Sequence, residues 1–363
     1  MLSTDLHLQP NEASDLCPVL DEARLAARGW DRAFVTVLDE ATAEEAVAVL
    51  GHDAGAGPED GWHAVRLRLR PDRDAGRTDD AEACARRGDQ LWLIGSQFGK
   101  KSGPLDPRRS WVGRLAQDDV DAAIDGATAP LELRRLRFGL HRAINDALRA
   151  ASVELIPLGD RARAAYIDAT ITLGAERAKR WAGRVTSADR PVNVEAAAFR
   201  RDGRLLLGLR YPTTVDGHPL LVELEDPDRL FDAPDEAPRA SAVWVLADVG
   251  TADAPAGVRA LHGDGRDRFD AVVGDLDAAG KGATILEDHP EGAVAPSRHI
   301  RFDLPLTARG GDVTTRRLHD FGDVRRVEGI ALGPDGHAHF VLDEEGAVCL
   351  RTLVVEDDRA PTG

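Results

Sequence analysis

Cysteine is scarce in this 363-residue chain. Its three residues, Cys17, Cys84 and Cys349, are odd in number and show no Cys-x-x-Cys spacing. That arithmetic argues against a disulfide framework or a structural zinc site, and a reducing, cytoplasmic compartment is expected. Cys84 and Cys349 fall inside apolar runs and are expected as small core residues. Long apolar runs are missing too. No segment approaches the roughly eighteen residues of a membrane span, and residues 1–8 have neither the basic start nor the apolar stretch of a signal peptide.

Positive charge is also in short supply. The formal net charge is −17, which removes the basic footprint that nucleic-acid binding needs and disfavours anionic membrane surfaces. The acidity by itself serves solubility. Lysine is rare beside arginine, with four residues in the chain, a bias consistent with high-GC coding.

What is present is a repeated phrase. Residues 194–208 contain Glu195, a run of small apolar residues, the Asp202-Gly203 turn and a second apolar run ending at Gly208. Residues 327–341 repeat it with Glu328 and Asp335-Gly336, and residues 81–95 with Glu82 and Gly95. Asp-Gly between apolar runs is a hairpin signal, because glycine accepts the positive φ of a tight turn. Around Glu195 the pattern predicts four strands, at 194–199, 204–210, 219–225 and 241–247, which make one blade of a β-propeller. Further units are predicted from Arg259, with later strands at 283–286 and 299–304, and near Glu22, with strands at 32–38 and 63–69. Repeats near 22, 82, 195, 259 and 328 include one interval of about double length.

The fold expected is therefore all-β, a single β-propeller domain over 1–363. Six blades fit the chain length, with five or seven as alternatives. The long interval differs in character. Leu133, Leu136, Leu140, Ile144 and Leu148 recur every three or four residues, which predicts an amphipathic helix over 131–150, and 162–182 adds a second. A helical insertion over about 118–190 follows. The ends, 1–14 and 356–363, read as frayed.

As a set, the motifs resemble a known family. Ala81-Glu82-Ala83 with Leu91-Trp92-Leu93-Ile94-Gly95-Ser96 and Lys100-Lys101, Asn193-Val194-Glu195 with Leu205 to Pro212, Gly257-Val258-Arg259, Glu328-Gly329-Ile330-Ala331 and Asp343 to Gly346 occur in the order seen in the DUF3616 family. That family is a group of predicted β-propeller proteins of undetermined function, so the resemblance implies a fold more than an activity. This chain departs from it at Gln97, where the family has His, at Ala196 in place of Gly and at Ala260 in place of Asp.

A propeller gathers equivalent positions around one channel. Glu82, Glu195 and Glu328 are thus expected as a ring at one mouth. They are candidate catalytic carboxylates and candidate ligands for one divalent cation, Ca²⁺ or Mg²⁺. The other reading pairs these glutamates with arginines of neighbouring blades, Arg210 and Arg259, to fix blade geometry. Arg210, Arg259, Lys100, Lys101 and Asn193 are candidates for holding a small anionic substrate. Residues 96–103 match no P-loop and read either as an anion cradle or as a flexible surface hairpin. His337 and His339 alternate on one strand and are expected at the surface. Two functions follow. One is a small-molecule hydrolase or lyase acting at the channel mouth. The other is a non-catalytic scaffold that binds a small ligand, a protein partner or a second copy through the apolar stripe of the insertion.

Overall fold

The computed structural model describes residues 2–354 except 7, 9–11, 40, 74–75, 278–281 and 345–346. Five antiparallel sheets follow one another along the chain. Sheet I comprises Ala13–Pro18, Trp30–Leu38, Val47–Asp53 and Trp62–Arg66. Sheet II comprises Ala81–Arg87, Gln90–Gly95, Trp111–Ala116 and Thr128–Arg135, with Arg68–Pro71 added in parallel at its edge. Sheet III comprises Asn193–Phe199, Leu205–Tyr211, Leu220–Leu224 and Ala240–Ala247, with Gly311–Thr314 in parallel outside. Sheet IV comprises Gly257–Gly263, Arg268–Gly274, Arg298–Asp303 and Arg316–Asp320. Sheet V comprises Val327–Leu332, His337–Glu344 and Ala347–Val354, and its fourth strand is Leu2–Leu6 from the other end of the chain.

The first strand of each sheet touches the first strands of the sheets before and after it, and sheet V touches sheet I, so the ring closes. Meanders arranged this way form a β-propeller. The sheets bury apolar side chains face to face. One core lies between sheets II and III around Trp92, Val194 and Leu207, and another between III and IV around Leu206, Val258 and Phe269. Such packing leaves no room for extra atoms. A Cβ on Gly208 would lie 2.6 Å from Val258 Cγ1 on sheet IV.

Several sequence expectations are corrected. Five sheets are found among the described residues, where six blades were expected with five or seven as alternatives. The first unit begins at Ala13, and Glu22–Arg28 is a helix joining its first two strands. Leu2–Leu6 is not frayed but paired with Ala347–Val354; residues 356–363 lie outside the described residues. The strand expected at 283–286 is a short helix, Thr284–Asp288. In the long interval, 128–135 is a strand, and the helix occupies Gly139–Ala150 only. The chain breaks between them at Arg137 and Phe138, both with positive φ. A second helical stretch runs from Asp160 to Glu176 through a π-helical turn at Arg163–Asp168. Leu136, Leu140, Ile144 and Leu148 are buried against Val192, Val222 and Val243 at sheet III, so the apolar stripe is covered by the protein itself. Among the described residues the exposed large hydrophobic side chains are Leu2 and Val294, which does not supply the docking face expected of the insertion. His339 is buried between Phe34 and Trp62, its Nδ1 3.1 Å from Thr352 Oγ1, rather than at the surface. No helix among the described residues is long and apolar enough to cross a membrane.

Gly208→Ala should cost about 1–3 kcal/mol, because the new methyl group overpacks the interface between sheets III and IV. Urea denaturation checks this, and an unchanged midpoint would mean that the sheets are not packed this closely.

Candidate functional site

The repeated glutamate owes its position to a β-bulge. Ala81 pairs with Gly95 and Ala83 with Ile94, so Glu82 is left over. Glu195 is skipped in the same way between Val194 and Ala196, Arg259 between Val258 and Ala260, and Glu328 between Val327 and Gly329. An extra residue re-aims its side chain out of the ladder. The packing confirms the geometry. Val194 and Ala196 are two apart and would share a face in a regular strand, yet Val194 joins the core toward sheet II and Ala196 the core toward sheet IV. In sheet I the irregularity lies between Ser14 and Cys17. There Asp15 takes φ 51° and accepts hydrogen bonds from the backbone N–H of Leu16 at 2.9 Å and of Cys84 at 3.0 Å.

These four bulge residues open onto one cavity of about 740 Å³ at the ring centre. All eight residues singled out in the sequence line it: Glu82, Glu195, Glu328, Asn193, Arg210, Arg259, Lys100 and Lys101. Sequence reasoning missed Asp80, Arg109, Asp275, Asp277 and Arg326 on the same wall. Asp275 and Ser96 each follow the glycine that ends the second strand of a sheet, a signal visible in the sequence as Gly-Asp and Gly-Ser. Among the described residues the lining holds nine carboxyl and six cationic side chains.

Most of these charges are paired. Arg259, 3% exposed, binds Glu328 in a bidentate fork with Nε–Oε2 at 2.7 Å, lies 3.3 Å from Glu195 Oε2, and reaches Asp275 Oδ1 at 2.9 Å. It therefore joins sheets III, IV and V. Arg210 donates to Glu195 Oε1 at 2.7 Å and lies 3.5 Å from Asp275 Oδ1. Lys101 Nζ lies 3.4 Å from Asp277 and Arg109 Nη1 2.7 Å from Asp80, which also accepts from the Ser96 hydroxyl. Two expectations change here. The three glutamates do not form an oxygen cage for a divalent cation, because a guanidinium occupies the space between Glu195 and Glu328; among the described residues no group of three or more acidic, His or Cys side chains has metal-holding geometry. Arg210 and Arg259 are also not free to hold an anion, being engaged by carboxylates. The alternative reading of the repeated glutamates, as partners of Arg210 and Arg259, describes the geometry.

Two carboxyls remain chemically tuned. Burial, reinforced by the negative charges of Asp80, Glu195 and Asp39, holds Glu82 well above the usual carboxylate range. Burial likewise raises Asp80 to about 6, against the pull of Arg109 and Ser96. For Arg210, burial works downward, but Glu195, Asp277 and Asp275 outweigh it and strengthen the proton's hold.

The loop at 96–103 is a packed turn rather than a loose hairpin. The Tyr166 hydroxyl donates to the Lys101 carbonyl at 2.5 Å, Thr284 N–H donates to the same oxygen at 2.9 Å, and the Gln97 amide donates to the Gly95 carbonyl at 2.8 Å. A second cavity of about 510 Å³ opens beyond Asp15, lined by Cys17, Cys84 and His262. The three cysteines are buried and form no disulfide.

No protein-family model matches this chain, and no curated protein matches it by sequence. Among solved structures it is similar to a WD40 β-propeller domain of Doa1, at 9% identity over 99% of this chain and 98% of that one, TM-score 0.36. It is similar to a GH43 endo-arabinanase from Bacillus licheniformis, at 12% identity over 97% of each chain, TM-score 0.42. A mannose phosphorylase from Leishmania mexicana matches at 11% identity over 98% of this chain and 88% of that one, TM-score 0.44. Likeness at this level says nothing about chemistry.

Arg259→Met should destabilise the fold by about 3–5 kcal/mol, since it leaves Glu195, Asp275 and Glu328 buried together without their common cation; chemical denaturation reads this. Asp80 gives a pH signature. Its folded pKa lies above its unfolded value, so its contribution is fully present below about pH 4 and is lost as pH rises through about 6. Relative to Asp80→Asn, the parent should therefore lose on the order of 2 kcal/mol between those limits. Parallel stability curves for the two proteins from acid to neutral pH would contradict it.

Proposed function

We propose that this chain is a five-bladed propeller enzyme, a hydrolase or lyase that acts on a small polar molecule in the central cavity by general acid–base chemistry. The observation that supports it is the convergence in one cavity of Glu82, Glu195 and Arg259, on strand positions that a repeated bulge turns inward, with Asp80, Arg109 and Arg210 beside them. Each of the five sheets counts as one blade, and the helices between sheets II and III are an insertion.

In this reading Glu82 is the proton donor. A carboxyl whose proton affinity is raised by burial and neighbouring negative charge can give its proton to a leaving oxygen, and one ionising near 6 can take a proton from water or from substrate carbon. Glu82 and Asp80 fill those two roles. Arg109 keeps Asp80 oriented, while Arg210 and Arg259 keep Glu195 in place. The scaffold alternative has less support, because the apolar stripe that was to serve as a docking face is buried.

Screening the parent against lactones, p-nitrophenyl esters and p-nitrophenyl glycosides tests the proposal. Glu82→Gln should lower kcat by about 10²–10⁴-fold on any compound turned over, and Asp80→Asn should remove the acidic limb of the kcat/KM profile near pH 6. Full turnover by a folded Glu82→Gln variant would refute the assignment.

A further inference from the structure

Asn193 Oδ1 and Glu195 Oε2, both on the cavity wall, lack a hydrogen-bond donor. The two residues are 8% and 3% exposed. The Asn193 amide has only one orientation compatible with its neighbour. Its Nδ2 donates to Glu195 Oε1 at 2.9 Å. That oxygen is also bound by Arg210 Nη1 and can only accept. Turning the amide over would set two acceptors against each other, so Oδ1 stays directed away from Glu195. Glu195 Oε2 lies 3.3 Å from Arg259 Nε but without hydrogen-bond geometry. Acceptors left in this state at the wall of a large cavity can be satisfied by water or by a donor group of a ligand.

We infer that the substrate of the cavity is a neutral polyhydroxylated molecule, of the size of a sugar, whose hydroxyl groups donate to Asn193 Oδ1 and Glu195 Oε2. This rests on the cavity being the reaction site proposed above. Charge separates this class from its rivals. An anion would meet a wall with more carboxyls than cations, where Arg109, Arg210 and Arg259 are already engaged. An ammonium could also donate to both acceptors and would be drawn by the net acidic wall, but Arg210 and Arg259, the charges nearest to them, repel it at close range. A hydroxyl donates without either penalty. Phe98, on the same wall with its ring 4.8 Å from Tyr166, offers an apolar surface to the C–H face of a ring.

Saturation-transfer NMR with D-glucose, D-glucuronate and D-glucosamine as probes of neutral, anionic and cationic character tests this on the full-length parent and on Glu82→Gln, Asn193→Leu and Asn193→Ser. The expected result is binding of glucose in preference to the charged probes, retained in Glu82→Gln. Binding should weaken about tenfold in Asn193→Leu, as loss of one hydrogen bond implies. It should recover in part in Asn193→Ser, which restores an oxygen acceptor. Variants are compared only where thermal melting remains cooperative. Preference for glucuronate or glucosamine would overturn the inference, as would glucose binding indifferent to Asn193→Leu, or no binding of any probe. Turnover of an ester or lactone that survives such a failure would leave the acid–base reading standing. Glucose binding with no turnover of any compound would sink that reading and leave this one.

Discussion

A single extra residue in the innermost strand of each of four sheets is the constraint on which the centre of this molecule depends. A regular strand alternates its side chains between the two faces of its sheet, and in a ring of stacked sheets both faces are buried. An ionisable side chain in such a strand would be forced into an apolar core. The bulge at Glu82, Glu195, Arg259 and Glu328 takes one residue out of the alternation, so that Ala81 and Ala83, or Val194 and Ala196, still enter opposite cores while the charged side chain between them points along the ring axis. The small residues flanking each bulge belong to the same solution. Gly329 leaves room for the backbone of Asp15, whose carbonyl carbon would stand 2.7 Å from any Cβ there.

Once four ionisable groups are delivered to one axis, electrostatics dictates the rest. Three glutamates alone would raise each other's proton affinity, and a buried cation alone would be costly. Arg259 at the fourth bulge answers both requirements by binding Glu328, Asp275 and, more loosely, Glu195. Substitution of the repeated glutamate by arginine in one unit is thus the counter-charge that lets the others stay. Glu82 lies outside this clamp, next to Asp80 rather than Arg259, and burial together with the charge of Asp80 raises its proton affinity.

Much of this was legible because the bulge leaves a local signature: a charged residue between apolar ones, which at Glu82 and Glu195 stands thirteen residues before a glycine of the next strand. The first sheet escaped it. Its bulge carries Asp15 beside Leu16, and a helix, Glu22–Arg28, replaces the tight turn that marks the other units, Asp-Gly in sheets III, IV and V and Gly-Asp in sheet II. The strand at Thr128–Arg135 was read as helix because Leu131 and Leu133, which alternate, run into Leu136 and Leu140, which are spaced by four. The two periods are indistinguishable over so short a stretch. The pairing of Leu2–Leu6 with the last strand has no local signal at all, since it depends on where the ring closes. Asp80, Arg109 and Asp277 were invisible for a similar reason, being brought to the cavity by loops whose course is set by packing.

The molecule also contains a buried ion cluster that serves as an internal comparison. In sheet III both oxygens of Glu223 are occupied, Oε2 by Arg200 and Oε1 by Arg204 at 2.6 Å and the Ser241 hydroxyl at 2.7 Å, and the Arg200 and Glu223 side chains have no solvent exposure. A carboxylate whose every oxygen is satisfied by the protein fixes structure and has nothing left to offer a ligand. Glu195 is nearly as buried and has as many cations near it, yet one of its oxygens and the neighbouring amide oxygen of Asn193 are left without donors at the wall of a large cavity. Folding stability alone would favour closing that gap, as it is closed at Glu223. In the acid–base reading proposed above, that open pair of acceptors beside two carboxyls of raised proton affinity is what a ligand would use.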